Sequence, residues 1–321
     1  MNKSKLINMK KHNFTSMKNN KLTSLKNNKL TSLKNNKLTS LMDTKLLKTK
    51  KHKPISMKKY LEVFRISFKM QIVWRFDVAM TVLATIARIV AAWILWRAIF
   101  DGKDLIGGFT FETMLSYYII SSIISSIDFS NQVSGEVAWL IKDGGFSKHM
   151  VTPMNPMGFF GSMVSGESAF HLSFSLFAAA LCALALRADI IFAMNAVQIF
   201  IAFLLIFIGL CFMAGYHYFV GIMAFKFLSI DFFTHVQENI IGFATGSMIP
   251  LSLLPVGVVD TLRFLPFTHV VYTPAMLLTG QIGVADGLIG LSVLSAWTAA
   301  ILVIAQTAYT KLRINYDGVG I

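Results

Sequence analysis

Six stretches of this chain, at residues 76–100, 113–134, 158–186, 193–220, 228–249 and 284–309, are each longer than twenty residues and predominantly apolar. An α-helix rises about 1.5 Å per residue, so about 20 apolar residues cross the roughly 30 Å of hydrocarbon in a bilayer. Lipid cannot hydrogen-bond the backbone, and a helix satisfies those groups internally. The pattern predicts an all-α polytopic membrane protein with six transmembrane helices. Composition agrees: of 321 residues 55% are hydrophobic and 14% charged, with a mean hydropathy of +0.60, too much apolar surface for one water-soluble core.

The formal net charge of +14 points toward a nucleic-acid partner only until it is divided along the chain. Residues 1–57 hold fifteen Lys and one acid, Asp43, whereas residues 58–321 hold fifteen Lys or Arg and fifteen Asp or Glu. The excess belongs to the tail alone, and no nucleic acid is expected as a partner. Within the tail NFTSMKNN, KLTSLKNN, KLTSLKNN and KLTSLMDT repeat with a period of eight residues. That period matches neither the helix nor the heptad, so the leucines form no packing seam. A basic tail of this kind is expected to be disordered, with a loose attraction to anionic lipid headgroups. No signal-peptide core follows its basic start. The abrupt change at MKKYLEVFRISFKMQ points to Met57 as the natural start, an expectation that KLTSLK peptides in the native host would reject.

Residues 58–75 carry Tyr60, Leu61, Phe64, Phe68 and Ile72 on one side and Lys58, Lys59, Arg65 and Lys69 mostly on the other, the pattern of an interfacial amphipathic helix. The second span is studded with Ser116, Ser121, Ser122, Ser125 and Ser126, small residues that allow close helix packing. Between the second and third spans lies a polar island, GEVAWLIKDGGFSKHMVTPMNP, at residues 135–156. Val133, Val137, Leu140 and Ile141 fall on one helical face there, Glu136 and Asp143 on another, and Gly144 and Gly145 end the helix. Farther on, Gly246, Pro250, Pro255, Pro266, Pro274 and Gly280 interrupt an apolar stretch. A stretch so broken predicts a re-entrant or surface-lying pair of short helices between spans five and six. Basic residues set the orientation: with the Lys58 end cytoplasmic, that side receives Lys58, Lys59, Arg65, Lys69, Arg75, Lys142, Lys148, Lys226, Lys311 and Arg313, against Lys103, Arg187 and Arg263 outside. Both termini and the 135–156 loop are therefore expected in the cytoplasm.

Catalytic motifs are absent from the sequence: there is no G-x-x-x-x-G-K-[ST] loop, no G-x-S-x-G elbow and no H-E-x-x-H helix. No catalytic, metal or cofactor site is expected in the chain. Cys182 and Cys211 sit inside apolar runs and read as small apolar filler. His235 and Glu238 have metal-like spacing, but two ligands make no site. Charges inside spans need compensation, because one at mid-bilayer costs about 2.5–3.5 kcal/mol even on the lenient insertion scale. Arg88 lines a translocation path, pairs with an acid on a neighbouring helix or reaches toward the interface. Glu167 and His171, four residues apart, form either a proton-responsive pair or a structural hydrogen bond.

Several of these segments together resemble the permease subunits of type-two ABC exporters, in particular six-span bacterial permeases encoded apart from their ATPase. The resemblance rests on KKYLEVFRISFKMQ, on Trp139, Ile141, Gly144 and Pro153 with Pro156, on GSMIPLSLLP, on LPFTHVVYTPAMLLTG and on KLRINYDGVG, and it covers residues 57–321. It implies a coupling helix at residues 136–143, with Glu136, Trp139, Ile141, Gly144 and Pro153 docking on an ATPase that itself binds ATP and Mg. It also implies a second permease subunit, identical or related, and short helices at the outer face of the plasma membrane for residues 250–280. Trp139 and Ile141 would sit in the docking groove, so replacing both by Asp is expected to uncouple transport without unfolding. An ion-coupled secondary transporter, with Arg88, Glu167 and His171 as its relay, and a non-transporting membrane scaffold are the competing readings.

Overall fold

A computed structural model describes residues 57–73, 75–128, 130–186, 190–193, 195–227, 230–247 and 249–316. The repeat tail, Arg187 and the last residues of the KLRINYDGVG ending lie outside the described residues. The helices are α1 (Met57–Met70), α2 (Arg75–Ile99), α3 (Phe111–Ser126), α4 (Asn131–Lys142), α5 (Ser147–Val151), α6 (Pro156–Leu186), α7 (Ala196–Ile222), α8 (Asp231–Ala244), α9 (Val256–Leu262), α10 (Tyr272–Leu278) and α11 (Val284–Leu312). Among the described residues four stretches, Phe76–Ile99, Pro156–Leu186, Ala196–Phe225 and Val284–Leu312, are long and apolar enough to cross a membrane. The architecture is that of an all-helical polytopic membrane protein.

The expected second and fifth spans take another form. Instead of one helix over 113–134, α3 stops at Ser126 and α4 starts at Asn131. Asp128 causes the stop: its Oδ1 accepts hydrogen bonds from the backbone N–H of Ser130 at 3.0 Å and from the Ser130 hydroxyl at 2.6 Å. A short acid that captures the backbone two residues on offers the chain an alternative to the helical ladder. The fifth segment is helical only over the 14 residues of α8, about 21 Å at the usual rise.

α7 is the hub, and its glycines explain how one helix serves three neighbours. Gly209, Gly215 and Gly221 recur every six residues, which turns each about 120° from the last around the helix. Each meets a different partner. A Cβ would lie 3.4 Å from Val270 at Gly209, 2.9 Å from Leu302 of α11 at Gly215 and 2.8 Å from Val137 of α4 at Gly221. α6 uses the same device toward α1, where Gly158 faces the Tyr60 ring and Gly166 the backbone at Phe64. So α1 keeps the amphipathic character expected of it but has α6 as its floor, with Lys58, Lys59, Arg65, Leu61 and Ile66 left exposed.

Twelve of the sixteen residues of α3 are buried, and its serines serve as packing residues. The Ser126 hydroxyl donates to Ser175 Oγ of α6 at 2.7 Å, and Ser116 Oγ accepts from the Ile191 N–H at 2.9 Å. Between α8 and α11 several of the short helices start at prolines: Pro250 and Pro266 precede single 3-10 turns, and Pro255 precedes α9. Proline tolerates those positions because the N–H it lacks has no partner there anyway. Val270, Val271, Tyr272, Ala275, Met276 and Leu277 are buried in the main core, so protein covers this irregular backbone. Gly246 and Gly280 bound the segment in left-handed conformation, φ +74° and +71°.

Candidate functional site: the exposed face of α4

α4 is two-sided. Val133, Val137, Ala138 and Ile141 are at most 2% exposed and pack with Phe160, Tyr218 and Ile222, each large side chain contributing about 1.5–3 kcal/mol of burial. On the other side Gln132, Gly135, Glu136 and Trp139 face outward, and Trp139 is 61% exposed. A large aromatic left open on a helix whose other face is buried is a ready anchor for a partner protein.

Ile141 is a correction to the sequence reading. It is 2% exposed and belongs to the core, so it presents nothing to a docking partner. Two positions along a helix is about 200° around it, so Trp139 and Ile141 point in opposite directions.

The turn after α4 is built to hold a fixed shape. Gly144 adopts φ +82°, a left-handed stop that costs a glycine little, and the Phe146 N–H reaches back to the Leu140 carbonyl at 2.9 Å. Phe146 is fully buried, with ring centroids 6.5 Å from Phe160, 5.3 Å from Phe225 and 6.2 Å from Tyr309. That single side chain pins the elbow to α6, to the end of α7 and to α11. Asn155 adds two ties: its backbone N–H donates to the Tyr60 hydroxyl of α1 at 3.1 Å, and its side-chain amide donates to Gln306 of α11 at 3.0 Å. Pro153 lies exposed on the return toward α6. His149 packs among Phe146, Phe159 and Phe160; burial first, and the Lys148 charge second, lower its pKa from the usual value. Phe146 and Asn155 were missed by sequence reasoning. One signal existed, since Phe146 is the lone aromatic of a polar turn.

Arg88 is exposed on α2, off the face that buries Val78, Thr85, Ile89, Ala92 and Trp96, and among the described residues no carboxylate pairs with it. It therefore does not line the interior of this chain, and it meets no acid among the described residues. Half-buried Glu167 lies near enough to Glu136 of α4 for the carboxylates to repel, while buried His171 has its Nε2 3.4 Å from Gln71 Oε1 beyond the end of α1. His235 is exposed beside Glu238, and no group of metal ligands occurs among the described residues.

In the 246–280 segment the Tyr117 hydroxyl donates to the Gly246 carbonyl at 2.7 Å, and the Tyr272 N–H donates to Thr245 at 3.0 Å. His269, unremarked in the sequence, bridges the Arg263 carbonyl at 2.9 Å and the Thr273 hydroxyl at 2.8 Å, and Gly290 of α11 makes room for its ring. Pro274 falls within α10 and is buried.

A bundle of long apolar helices, with an exposed tryptophan on the short helix between two of them, defines a polytopic membrane protein. The chain belongs to the family described as ABC-2 family transporter protein, which matches residues 86–320. It is thus a membrane permease of the ABC class, a family that works with a separate ATPase subunit. No curated protein and no solved structure matches it.

Proposed function

We propose that this permease exports its substrate and is driven by a separate ATPase, which binds ATP and Mg and docks on Glu136 and Trp139, with Gly144 and Pro153 shaping the elbow around them. A second permease subunit, identical or related, completes the translocation path in the plasma membrane, and both termini are cytoplasmic. The observation that carries this reading is the exposed Trp139 indole on a helix whose opposite face is fixed to α7. Closure of the ATPase moves α4 as a lever; Gly221 against Val137 passes the displacement to α7, and Phe146 passes it to α11. An ATPase drives such a transition only if it binds one permease state better than the other.

Arg88 supports the second subunit. A cation on the outward side of a spanning helix costs about 2.5–3.5 kcal/mol against lipid at mid-bilayer, and a facing protein surface relieves that cost. The 246–280 segment then caps the outer end of the path. The test is Trp139→Asp in membranes that also carry the ATPase: loss of copurified ATPase and of transport, with unchanged thermal stability, is expected. Normal transport in that variant would contradict the docking assignment.

A further inference from the structure

Behind α4 the break between α3 and α4 leaves a cavity of about 200 Å³, closed by α7, α8 and residues Val270 and Val271. Its polar wall carries two carboxylates, Asp128 at the break and Glu238 on α8, and no Lys or Arg lines it among the described residues. Both hydrogen bonds to Asp128 land on Oδ1, leaving Oδ2 without a partner among the described residues. His217, 1% exposed, reaches the cavity from α7 with its Nδ1 unpartnered, as is the hydroxyl of Ser125. Buried polar atoms such as His217 Nδ1 and the Ser125 hydroxyl are costly unless something partners them. The opposite wall is apolar, formed by Leu210, Met213 and Ile241 with the two valines. Glu238 is 41% exposed at its side chain and stands at the mouth, with His235 Nδ1 4.0 Å away on the open side. The bond from the Tyr216 hydroxyl to Gln237 Oε1, 2.8 Å, clamps α8 to α7 beside it.

We propose that this cavity binds the ammonium group of a small protonated amine with an apolar body; given the permease reading, amines of that kind are the transported class. An ammonium matches the wall because it brings positive charge to two carboxylates and several N–H donors to Asp128 Oδ2, Glu238 and, in the tautomer that leaves Nδ1 without a hydrogen, His217. A bare metal ion fits worse. Among the described residues no group of metal ligands is assembled, and the volume equals that of several water molecules at about 30 Å³ each. An anion would meet two like charges.

The probe is phenethylammonium, with 2-phenylethanol as its uncharged counterpart, added to the full chain in nanodiscs of zwitterionic lipid. Saturable binding is expected, weakened at least tenfold in Asp128→Asn and in Glu238→Gln and not displaced by the alcohol. Asparagine at 128 retains an oxygen for the Ser130 bonds, and thermal unfolding verifies that it folds; Glu238→Gln, at the exposed mouth, carries the test if it does not. Absence of saturable binding, equal binding by the variants or displacement by the alcohol at matching concentration overturns the proposal. Because binding is measured without an ATPase, a failure here is distinct from normal transport in Trp139→Asp, which would sink the coupling reading and leave the site standing.

Discussion

The elbow of residues 143–155 and the segment of residues 246–280 have similar ingredients, short helices broken by glycine and proline between long apolar spans, yet they solve opposite problems. In the inner-facing assignment proposed here the elbow is held from below by the buried Phe146 ring and the Asn155 bonds, and α4 beside it leaves Trp139 open. The 246–280 segment is held from within: Tyr117 satisfies the Gly246 carbonyl, Tyr272 bonds Thr245, and the Ala193 N–H caps the Leu278 carbonyl at 2.7 Å. The contrast teaches that a broken apolar stretch sinks into the core when nearby side chains and backbone can satisfy its peptide groups. It stays at the surface when its own face carries the polar residues.

Substitutions that exchange these two solutions should have the largest effects. Phe146→Ala opens a void at the meeting point of three helices and is expected to destabilise the chain by about 3–5 kcal/mol, read as a fall in the thermal midpoint of the purified protein. Ile141→Asp belongs to the same class, because it buries an unpaired charge; retention of wild-type stability would show that α4 does not bury this face. Next comes Tyr117→Phe, which strips the Gly246 carbonyl of its donor and should cost about 1–3 kcal/mol, with faster hydrogen exchange in the 246–280 segment and none at the elbow. Trp139→Ala, in contrast, is expected to change stability by less than about 0.5 kcal/mol, as exposed positions do, while abolishing ATPase copurification.

The smallest effect is on pH dependence. His149 is held below its usual pKa, so the folded elbow favours the neutral ring. Its contribution is present above the unfolded value of about 6.5 and declines as pH falls below it through the lowered folded value. The thermal midpoint should therefore drop on acidification, and His149→Phe should remove part of that drop. An identical pH slope in the variant would show that the ring is not enclosed.

Much of this was legible in the sequence because hydropathy and periodicity report burial directly. The long helices α2, α6, α7 and α11, the amphipathic α1 and the broken 246–280 stretch all follow from such patterns. The break at Asp128 was not legible, since a lone acid inside an apolar run reads equally as a membrane charge or a turn, and only the Ser130 bonds decide. Ile141 was misassigned by resemblance although its periodicity, shared with Val133 and Val137, already placed it on the buried face. The sequence left Arg88 open between a path-lining role, an acid partner and the interface, because a charge in an apolar run does not say which side of its helix is covered. The spacing of Gly209, Gly215 and Gly221 was visible throughout, yet it gains meaning only once three different partners are seen around α7.

The claim that α4 is where force enters is tested most directly by cross-linking. Cysteine is placed at 139 or at 137 in a chain whose Cys182 and Cys211 are replaced by alanine, and a short bifunctional thiol–amine reagent is applied to membranes that also contain the ATPase. The account predicts a permease–ATPase adduct from position 139 and none from the buried position 137. An adduct-free position 139, or its labelling by an impermeant thiol reagent added from outside intact cells, would contradict it.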